Sequence, residues 1–270
     1  MSGVGSAERI LAILDLFSED RLDWTPDELM AATGYARPTL YRYLKALKSA
    51  GLVTTTSSGA VYTLGPKVVE LDYLSRRSDP LIREGVPVIQ GLAARWPCTA
   101  LLVRWYGNRI LCIASECSVS GARSSYLRGR PMPLARGAIS RAILAYLPRR
   151  QMLQKIAENR DDLRALGLGK DDEEIAESFR LVRRQGAAVA RGEVTPGVVG
   201  VAAPIFTDGP SPVAAICTTI AQERAPDHLI PRIADDVWKT AERLSMDLAE
   251  QAPAKFGPNR RGCARPEGST

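Results

Sequence analysis

Histidine is nearly absent from this chain: His228 is the only one among 270 residues. A serine–histidine–aspartate triad, a cysteine–histidine pair or a zinc site with two histidines would have to use that one side chain. A glycine-rich phosphate loop is missing as well. The sequence therefore gives little indication of an enzyme. We interpret His228 as an ordinary surface or helix-packing residue just inside a C-terminal helix.

Long apolar runs and paired cysteines are also lacking. No run of about eighteen apolar residues occurs, and residues 1–5 are not followed by a basic and then apolar leader, which disfavours a membrane-spanning or secreted protein. The five cysteines form no CxxC pair, as expected for buried thiols in a reducing cytoplasm. We therefore expect a cytoplasmic protein without metal, cofactor or membrane partner.

The chain does contain enough material for two domains. Its 270 residues exceed one small module, and 45% of them are hydrophobic. We predict one domain over residues 1–65, a linker helix over 66–79 and a second domain over 80–251. Residues 252–270, rich in proline, glycine and arginine, are predicted to be a disordered tail.

Two helix patterns open the first domain. Ser6 precedes an apolar spacing of three and four that continues to Phe17, and is predicted to cap that helix. Thr25 starts the second helix, followed by proline, with Glu28 placed to complete a capping box. Gly34 ends this helix, because it permits the positive φ of a tight turn.

A third helix and a hairpin complete the pattern. Helical leucine spacing runs from about residue 36 to Gly51, and two short strands are predicted at 51–54 and 61–64 around a turn at 57–59. Three helices followed by a hairpin is the order of a winged helix-turn-helix, with the helix-turn-helix at about 25–44.

The third helix has two different faces. Leu40, Leu44 and Leu47 recur on one side, whereas the opposite side offers hydrogen-bond donors and cations. Side chains near the N-terminal end would contact base edges, and those further along would contact phosphates. The predicted DNA-binding residues are Thr25, Arg37, Thr39, Tyr41, Arg42, Lys45 and Lys48.

Charge is distributed unevenly along the first domain. Residues 1–33 contain seven acids and two bases, whereas residues 34–69 contain five bases and no acid. A patch of one sign inside a mixed domain is typical of a nucleic-acid footprint. A solvated face on a structural three-helix unit is the alternative interpretation.

The second domain mixes helices with antiparallel hairpin patterns. Helices are predicted at 81–96, 137–146, 149–165, 171–185 and 227–249, and strands at 99–106, 109–115, 198–206 and 213–220. This mixture predicts an α+β fold in which helices cover an antiparallel sheet.

Taken together, these segments resemble the IclR family of bacterial regulators. The resemblance covers about residues 6–249. It is carried by the segments 6–14, 25–44, 50–53, 62–65, 133–138 and 197–206. It implies a GAF-like effector-binding second domain and a homodimer held partly through the N-terminal helices, often assembled as a dimer of dimers.

By position, the resemblance also implies an effector pocket. The implied residues are Gly137, Ala138, Gly200, Cys217 and Thr219. Arg136 is added to them because of its position in the segment 133–138, although an arginine is unusual beside that family signature. The chain departs from the family at several of these places. Ala135 stands where histidine is frequent, Gly200 where some members have cysteine, and Cys217 and Thr219 where serines are found. With fewer hydroxyls, the pocket need not prefer the same small keto acid.

Arginine is concentrated near this implied pocket. Residues 95–150 contain ten arginines and one acid. A cluster such as Arg123, Arg128, Arg130 and Arg136 would clamp a carboxylate through forked hydrogen bonds. Alternatively, most of these side chains face water or a subunit partner. The expected effector is a small organic acid, including aromatic acids.

The leading hypothesis is a ligand-responsive regulator of a catabolic operon, associated with the nucleoid. A dimer would place two recognition helices in successive major grooves, about one helical turn apart. Effector binding would shift the linker helix and the spacing between these helices. An enzyme with an accessory helix-turn-helix and a protein–protein adaptor stay open as alternatives. Activation and repression are not distinguished.

Overall fold

The computed structural model describes residues 5–56, 59, 61–118 and 126–251. It divides the chain into two compact units, Met1–Asp79 and Pro80–Thr270. The tail predicted at 252–270, Arg123 and two of the three residues of the turn predicted at 57–59 lie outside the described residues. Within the described stretches, every helix is too short or too polar to cross a bilayer.

The first unit combines helices with a small antiparallel sheet. Its helices are α1 (Ser6–Leu14), α2 (Pro26–Thr33), α3 (Arg37–Ser49) and α4 (Pro66–Ser78), and its strands are β1 (Asp23–Trp24), β2 (Val53–Thr55) and β3 (Tyr62–Leu64). The strand order is β1-β3-β2. The predicted winged helix-turn-helix is confirmed. The strand β1 was not predicted, because two residues are too few to show the alternation of apolar and polar side chains.

The capping box predicted at the start of α2 is confirmed. The Thr25 N–H donates to Glu28 Oε2 at 2.9 Å, and the Glu28 N–H donates to Thr25 Oγ1 at 3.3 Å. Gly34 closes the helix at φ 71°. The local sequence is sufficient to predict both ends of α2, because each cap is formed by residues close to it in the chain.

The cap predicted at Ser6 is wrong by one position. Gly5 is the cap residue, and its N–H donates to Glu8 Oε2 at 2.9 Å. Ser6 is the first helical residue, and its hydroxyl donates to the Tyr43 hydroxyl oxygen at 3.5 Å. The Ser6 hydroxyl therefore connects α1 to α3 and does not cap α1.

The second unit contains six α-helices, one short 3-10 helix (Gln222–Arg224) and six strands among its described residues. Its helices are α5 (Pro80–Arg95), α6 (Gly137–Leu144), α7 (Arg149–Glu158), α8 (Arg160–Ala165), α9 (Asp172–Gln185) and α10 (Ile230–Gln251). Its strands are β4 (Cys98–Trp105), β5 (Ile110–Cys117), β6 (Pro131–Met132), β7 (Ala188–Arg191), β8 (Val198–Ile205) and β9 (Ala214–Ala221).

All strands of the second unit form one antiparallel sheet. Its order is β6-β5-β4-β9-β8-β7, so β4 and β9 lie at the centre. One face packs on α5 and α10, and the other packs on α6. Because both faces are covered, β8 and β9 are buried almost throughout rather than on alternate residues. The predicted α+β fold is confirmed.

Three predictions for the second unit need correction. The helix predicted at 149–165 is two helices, α7 and α8, which meet at Asn159. The short edge strands β6 and β7 were not predicted. The last helix begins at Ile230, so His228 lies in the preceding turn, exposed to solvent, rather than inside the helix.

Candidate DNA-binding surface and effector cavity

α3 separates its apolar and basic residues onto two faces. Leu40, Leu44 and Leu47 are at most 2% exposed and pack in the core of the first unit. Tyr43 is buried beside them, which the leucine spacing alone did not indicate. We call Arg37, Arg42, Lys45 and Lys48 the basic face; all four are exposed. Within the described residues, no carboxylate forms an ion pair with them.

Neighbouring side chains support the basic face. Lys48 Nζ donates to Thr55 Oγ1 at 3.0 Å, which ties the end of α3 to the wing strand β2. The Arg37 guanidinium lies 5.7 Å from the Tyr41 ring centroid, within cation–π range. Two of the four cations of the basic face are therefore held by a hydroxyl or an aromatic side chain.

Two of the three remaining predicted DNA-contacting residues occupy less exposed positions. Thr39 is half-buried in the first turn of α3, and Tyr41 is 41% exposed on its outer side. Thr25 is half-buried, and its hydroxyl already serves the α2 cap. The structure thus brings Tyr41 and the basic face together on α3. Thr25 lies at the start of α2, and contact of any of these residues with DNA stays a prediction.

A narrow cavity lies in the second unit where α6 begins. Its volume is about 40 Å³, enough for a few water molecules. It is enclosed by α6, the β7–β8 connection and the strands β8 and β9. We call it the α6 cavity; its lining residues are Tyr126, Gly137, Ala138, Ile139, Ala190, Glu193, Val194, Thr195, Val198, Gly200, Cys217 and Thr219.

Five of the six predicted effector residues therefore share one cavity. Gly137 has φ +86°, and a Cβ there would lie 3.1 Å from Val194 Cγ2. Both the backbone conformation and the close approach require glycine. A Cβ on Gly200 would meet the Ala138 Cβ at an ordinary 3.6 Å, and Gly200 has no positive φ, so neither packing nor backbone conformation requires glycine there.

Arg136, the sixth predicted residue, does not line the cavity. Its Nη2 donates to Asp162 Oδ1 at 2.9 Å, and both side chains are about half exposed. Arg128 and Arg130 are exposed and are likewise absent from the lining. None of the three described members of the predicted arginine cluster lines the cavity, and Arg123 lies outside the described residues.

The charged groups beside the cavity are instead Arg141 and Glu193. Arg141 is 9% exposed in a helix that is otherwise buried and mostly apolar. It pairs with Glu193, which accepts the Gly137 N–H at 2.9 Å. Neither Arg141 nor Glu193 was among the residues predicted for the site. An arginine in the middle of the apolar segment 137–144 was the available signal for one of them.

Cys217 contributes bulk rather than reactivity to the cavity. It is 1% exposed, and burial raises the pKa of its thiol well above its ordinary value. Burial also raises the pKa of the Tyr126 hydroxyl, so this group stays neutral near pH 7. In the part of the chain that the structure describes, no three side chains of the metal-binding types are grouped to hold an ion.

Two family models match the chain. The IclR helix-turn-helix domain matches residues 6–57, and the bacterial transcriptional regulator IclR C-terminal domain matches residues 74–246. The transcriptional regulator KipR of Bacillus subtilis is 25% identical over 240 residues, spanning 88% of this chain and 94% of that protein.

Solved structures show the same fold. An IclR-type protein from Silicibacter sp. TM1040 has a TM-score of 0.75 at 22% identity, covering 94% of this chain and 100% of that one. An IclR homologue from Microbacterium hydrocarbonoxydans, crystallised with 4-hydroxybenzoate, has a TM-score of 0.73 at 17% identity, covering 91% and 100%.

A winged helix with an exposed basic face, followed by a helix-covered sheet that contains a cavity, defines a two-domain transcription regulator. The chain belongs to the IclR family of bacterial transcriptional regulators. This membership confirms a DNA-binding regulator rather than an enzyme.

Proposed function

We propose that this regulator binds double-stranded operator DNA through α3 and the wing, and senses a small organic acid in the α6 cavity. The basic face carries the first half of this proposal, because its four cations are exposed on a helix whose other side is fixed by buried leucines. The four cations form no ion pair within the described residues, although Asp27 helps Tyr41 to raise the pKa of Arg37. Exposed cations of this kind are available to phosphates. Arg37 and Tyr41, near the start of α3, are placed to contact base edges.

The cavity supports an acidic effector. The start of α6 lies in its wall, and the N-terminal end of a helix favours an anion. Thr195, Thr219 and Tyr126 add hydroxyls to an otherwise mostly apolar lining. The homologue crystallised with 4-hydroxybenzoate is in keeping with an aromatic acid. Such a compound is larger than the cavity of about 40 Å³, so it would bind by extending towards solvent or by moving the cavity wall outward.

We also propose a homodimer. Four large apolar side chains of α4 are exposed on the first unit, namely Val69, Leu71, Tyr73 and Leu74. Leu11 of α1 is exposed as well. Apolar residues of this size are usually covered by a partner when they recur on one unit. A dimer would present two copies of α3 to an inverted-repeat operator controlling a catabolic operon.

DNA binding is tested with duplexes selected by the purified protein from a random-sequence pool. Affinity for the selected duplex should fall steeply with added salt, because cations bound to phosphates release counterions. The double variant Arg42→Ala/Lys45→Ala provides the matched control and should show a shallower dependence. A salt-independent affinity would contradict the proposal and favour a protein–protein adaptor.

Effector sensing is tested by thermal unfolding with a panel of small aliphatic and aromatic acids. A ligand that binds the folded state raises its stability, by about 2.7 kcal/mol at a concentration of roughly 100 Kd. The cavity-filling variant Gly200→Val should lose this gain. DNA affinity that is the same with and without every stabilising acid would contradict the sensing half.

A further inference from the structure

The N-terminal end of α6 already binds a carboxylate, and this carboxylate is a side chain of the protein itself. Arg136, the residue before the helix, makes no side-chain cap hydrogen bond. The Gly137 N–H instead donates to Glu193 Oε2 at 2.9 Å, across 56 residues of chain. Because a helix start carries positive partial charge, the Glu193 carboxylate fills the position that favours an anion.

Arg141 holds Glu193 in this position. Its Nη2 pairs with Glu193 Oε1, and the two side chains are 11% and 12% exposed. Its Nη1 donates to the Val189 carbonyl at 3.1 Å, whereas its Nε is buried without a hydrogen-bond partner in the described residues. A forked complex with a carboxylate uses two guanidinium donors. The pair is therefore shielded from water, yet one of its donors is unused.

The loop that carries Glu193 is also a wall of the cavity. Glu193, Val194 and Thr195 line the α6 cavity from the connection between β7 and β8. That connection begins at Gly192, with φ 64°, and ends at Gly197, with φ 71°. A change in the bonding of Glu193 would therefore alter the shape of the site in which the effector is proposed to bind.

We propose that Glu193 is a tethered competitor of the effector. Its carboxylate occupies the anion position at the start of α6, and an incoming carboxylate has to displace it. This inference rests on the proposed acid-binding function. Two ionised carboxylates repel each other strongly when they are shielded from water. The effector carboxylate would accept from the Gly137 N–H and from Arg141, while Glu193 moves out to solvent with its loop.

Two consequences follow from this exchange. The affinity for an acid is lower than the donors around α6 would otherwise provide, so effector binding requires a higher concentration. Acid binding also moves the β7–β8 connection, whereas a neutral ligand of the same shape has no reason to displace Glu193.

Isothermal titration calorimetry on the full chain tests the competition. The test compounds are benzoate and propionate, each compared with its uncharged amide, benzamide or propionamide. Glu193→Gln keeps the size of the side chain and an acceptor for the Gly137 N–H, but removes the charge. This variant should bind the two carboxylates roughly tenfold more tightly or better, with the amides changed less than about twofold. Glu158→Gln removes a carboxylate that pairs with Lys155 at 2.7 Å on α7, and should match the wild type.

The possible outcomes separate the two proposals. If the wild type binds the carboxylates and Glu193→Gln binds them equally or more weakly, the competitor is overturned and acid sensing stands. If Glu193→Gln increases the affinity for carboxylates and amides alike, the competitor proposal is also overturned, because the effect does not depend on the charge of the ligand. If neither protein binds either carboxylate while folded, acid sensing fails and the competitor fails with it.

Hydrogen exchange on the wild type gives a second test that does not require Glu193→Gln to fold. With saturating benzoate, the backbone amides of residues 192–198 should exchange faster, because the loop loses the contacts of Glu193. Slower or unchanged exchange in that segment, with benzoate bound, would overturn the competitor.

Discussion

The two units use positive charge in opposite ways. On α3, the basic face is exposed and has no ion pair within the described residues. In the second unit, several of the described arginines form ion pairs with carboxylates of the same unit. These pairs include Arg95–Asp236, Arg136–Asp162, Arg141–Glu193, Arg160–Asp172, Arg180–Glu177 and Arg191–Asp227. Charge that is left unmatched is available to an external partner, whereas matched charge mainly organises its own unit.

The largest effect is expected from breaking the buried pair of the second unit. Arg141→Met leaves Glu193 largely buried without its cation, and should lower the free energy of unfolding by about 3–5 kcal/mol. The double variant Arg141→Met/Glu193→Gln removes both charges and should regain most of this loss. Urea unfolding followed by tryptophan fluorescence measures both. A single variant as stable as the wild type would show that the pair contributes little.

Base recognition should be the next most sensitive property. Arg37→Ala removes a side chain at the start of α3 and should reduce discrimination between the selected duplex and a mismatched one by roughly tenfold. Its stability should be unchanged, since Arg37 is exposed. Competition binding with the two duplexes measures the ratio. Equal weakening for both duplexes would reassign Arg37 to phosphate contact.

Phosphate contacts should show a smaller effect that is independent of sequence. Arg42→Ala or Lys45→Ala should weaken binding to all duplexes alike and reduce the slope of log affinity against log salt by about 1. Binding titrations at several salt concentrations give that slope. An unchanged slope in both variants would remove the basic face from the DNA interface.

The smallest effect is expected at Arg136, whose pair with Asp162 is about half exposed. Arg136→Ala should change stability by less than about 1 kcal/mol. It should also leave acid affinity unaltered in calorimetry, because Arg136 is absent from the cavity lining. Loss of acid binding in Arg136→Ala would instead support the hypothesis, drawn from the sequence, that arginines bind the effector carboxylate.

The first unit could be predicted closely from sequence because its signals are local. The Thr25–Glu28 capping box and the leucine spacing of α3 involve residues three or four positions apart, and both are confirmed. The strand β1 escaped prediction, since it has two residues and pairs with the distant β3.

The second unit shows where sequence reasoning fails for a binding site. Gly137, Ala138, Gly200, Cys217 and Thr219 could be assigned by resemblance and do line one cavity. Glu193 and Arg141 could not be paired, because 52 residues separate them and only the sheet brings them together. Arg136 lies outside the cavity lining and pairs with Asp162, and its role in effector binding stays a prediction.

The central pairing of β4 with β9 has a consequence for how the chain acquires its structure. Cys98 pairs with Ile220 and Leu102 with Ile216, partners more than a hundred positions apart. A ribosome must therefore have synthesised the chain as far as β9 before the sheet can close, and such long-range pairing is slow. The winged helix makes its contacts within the first 79 residues. Vectorial synthesis then completes the DNA-binding half first, while the ligand-binding half still awaits its last strand.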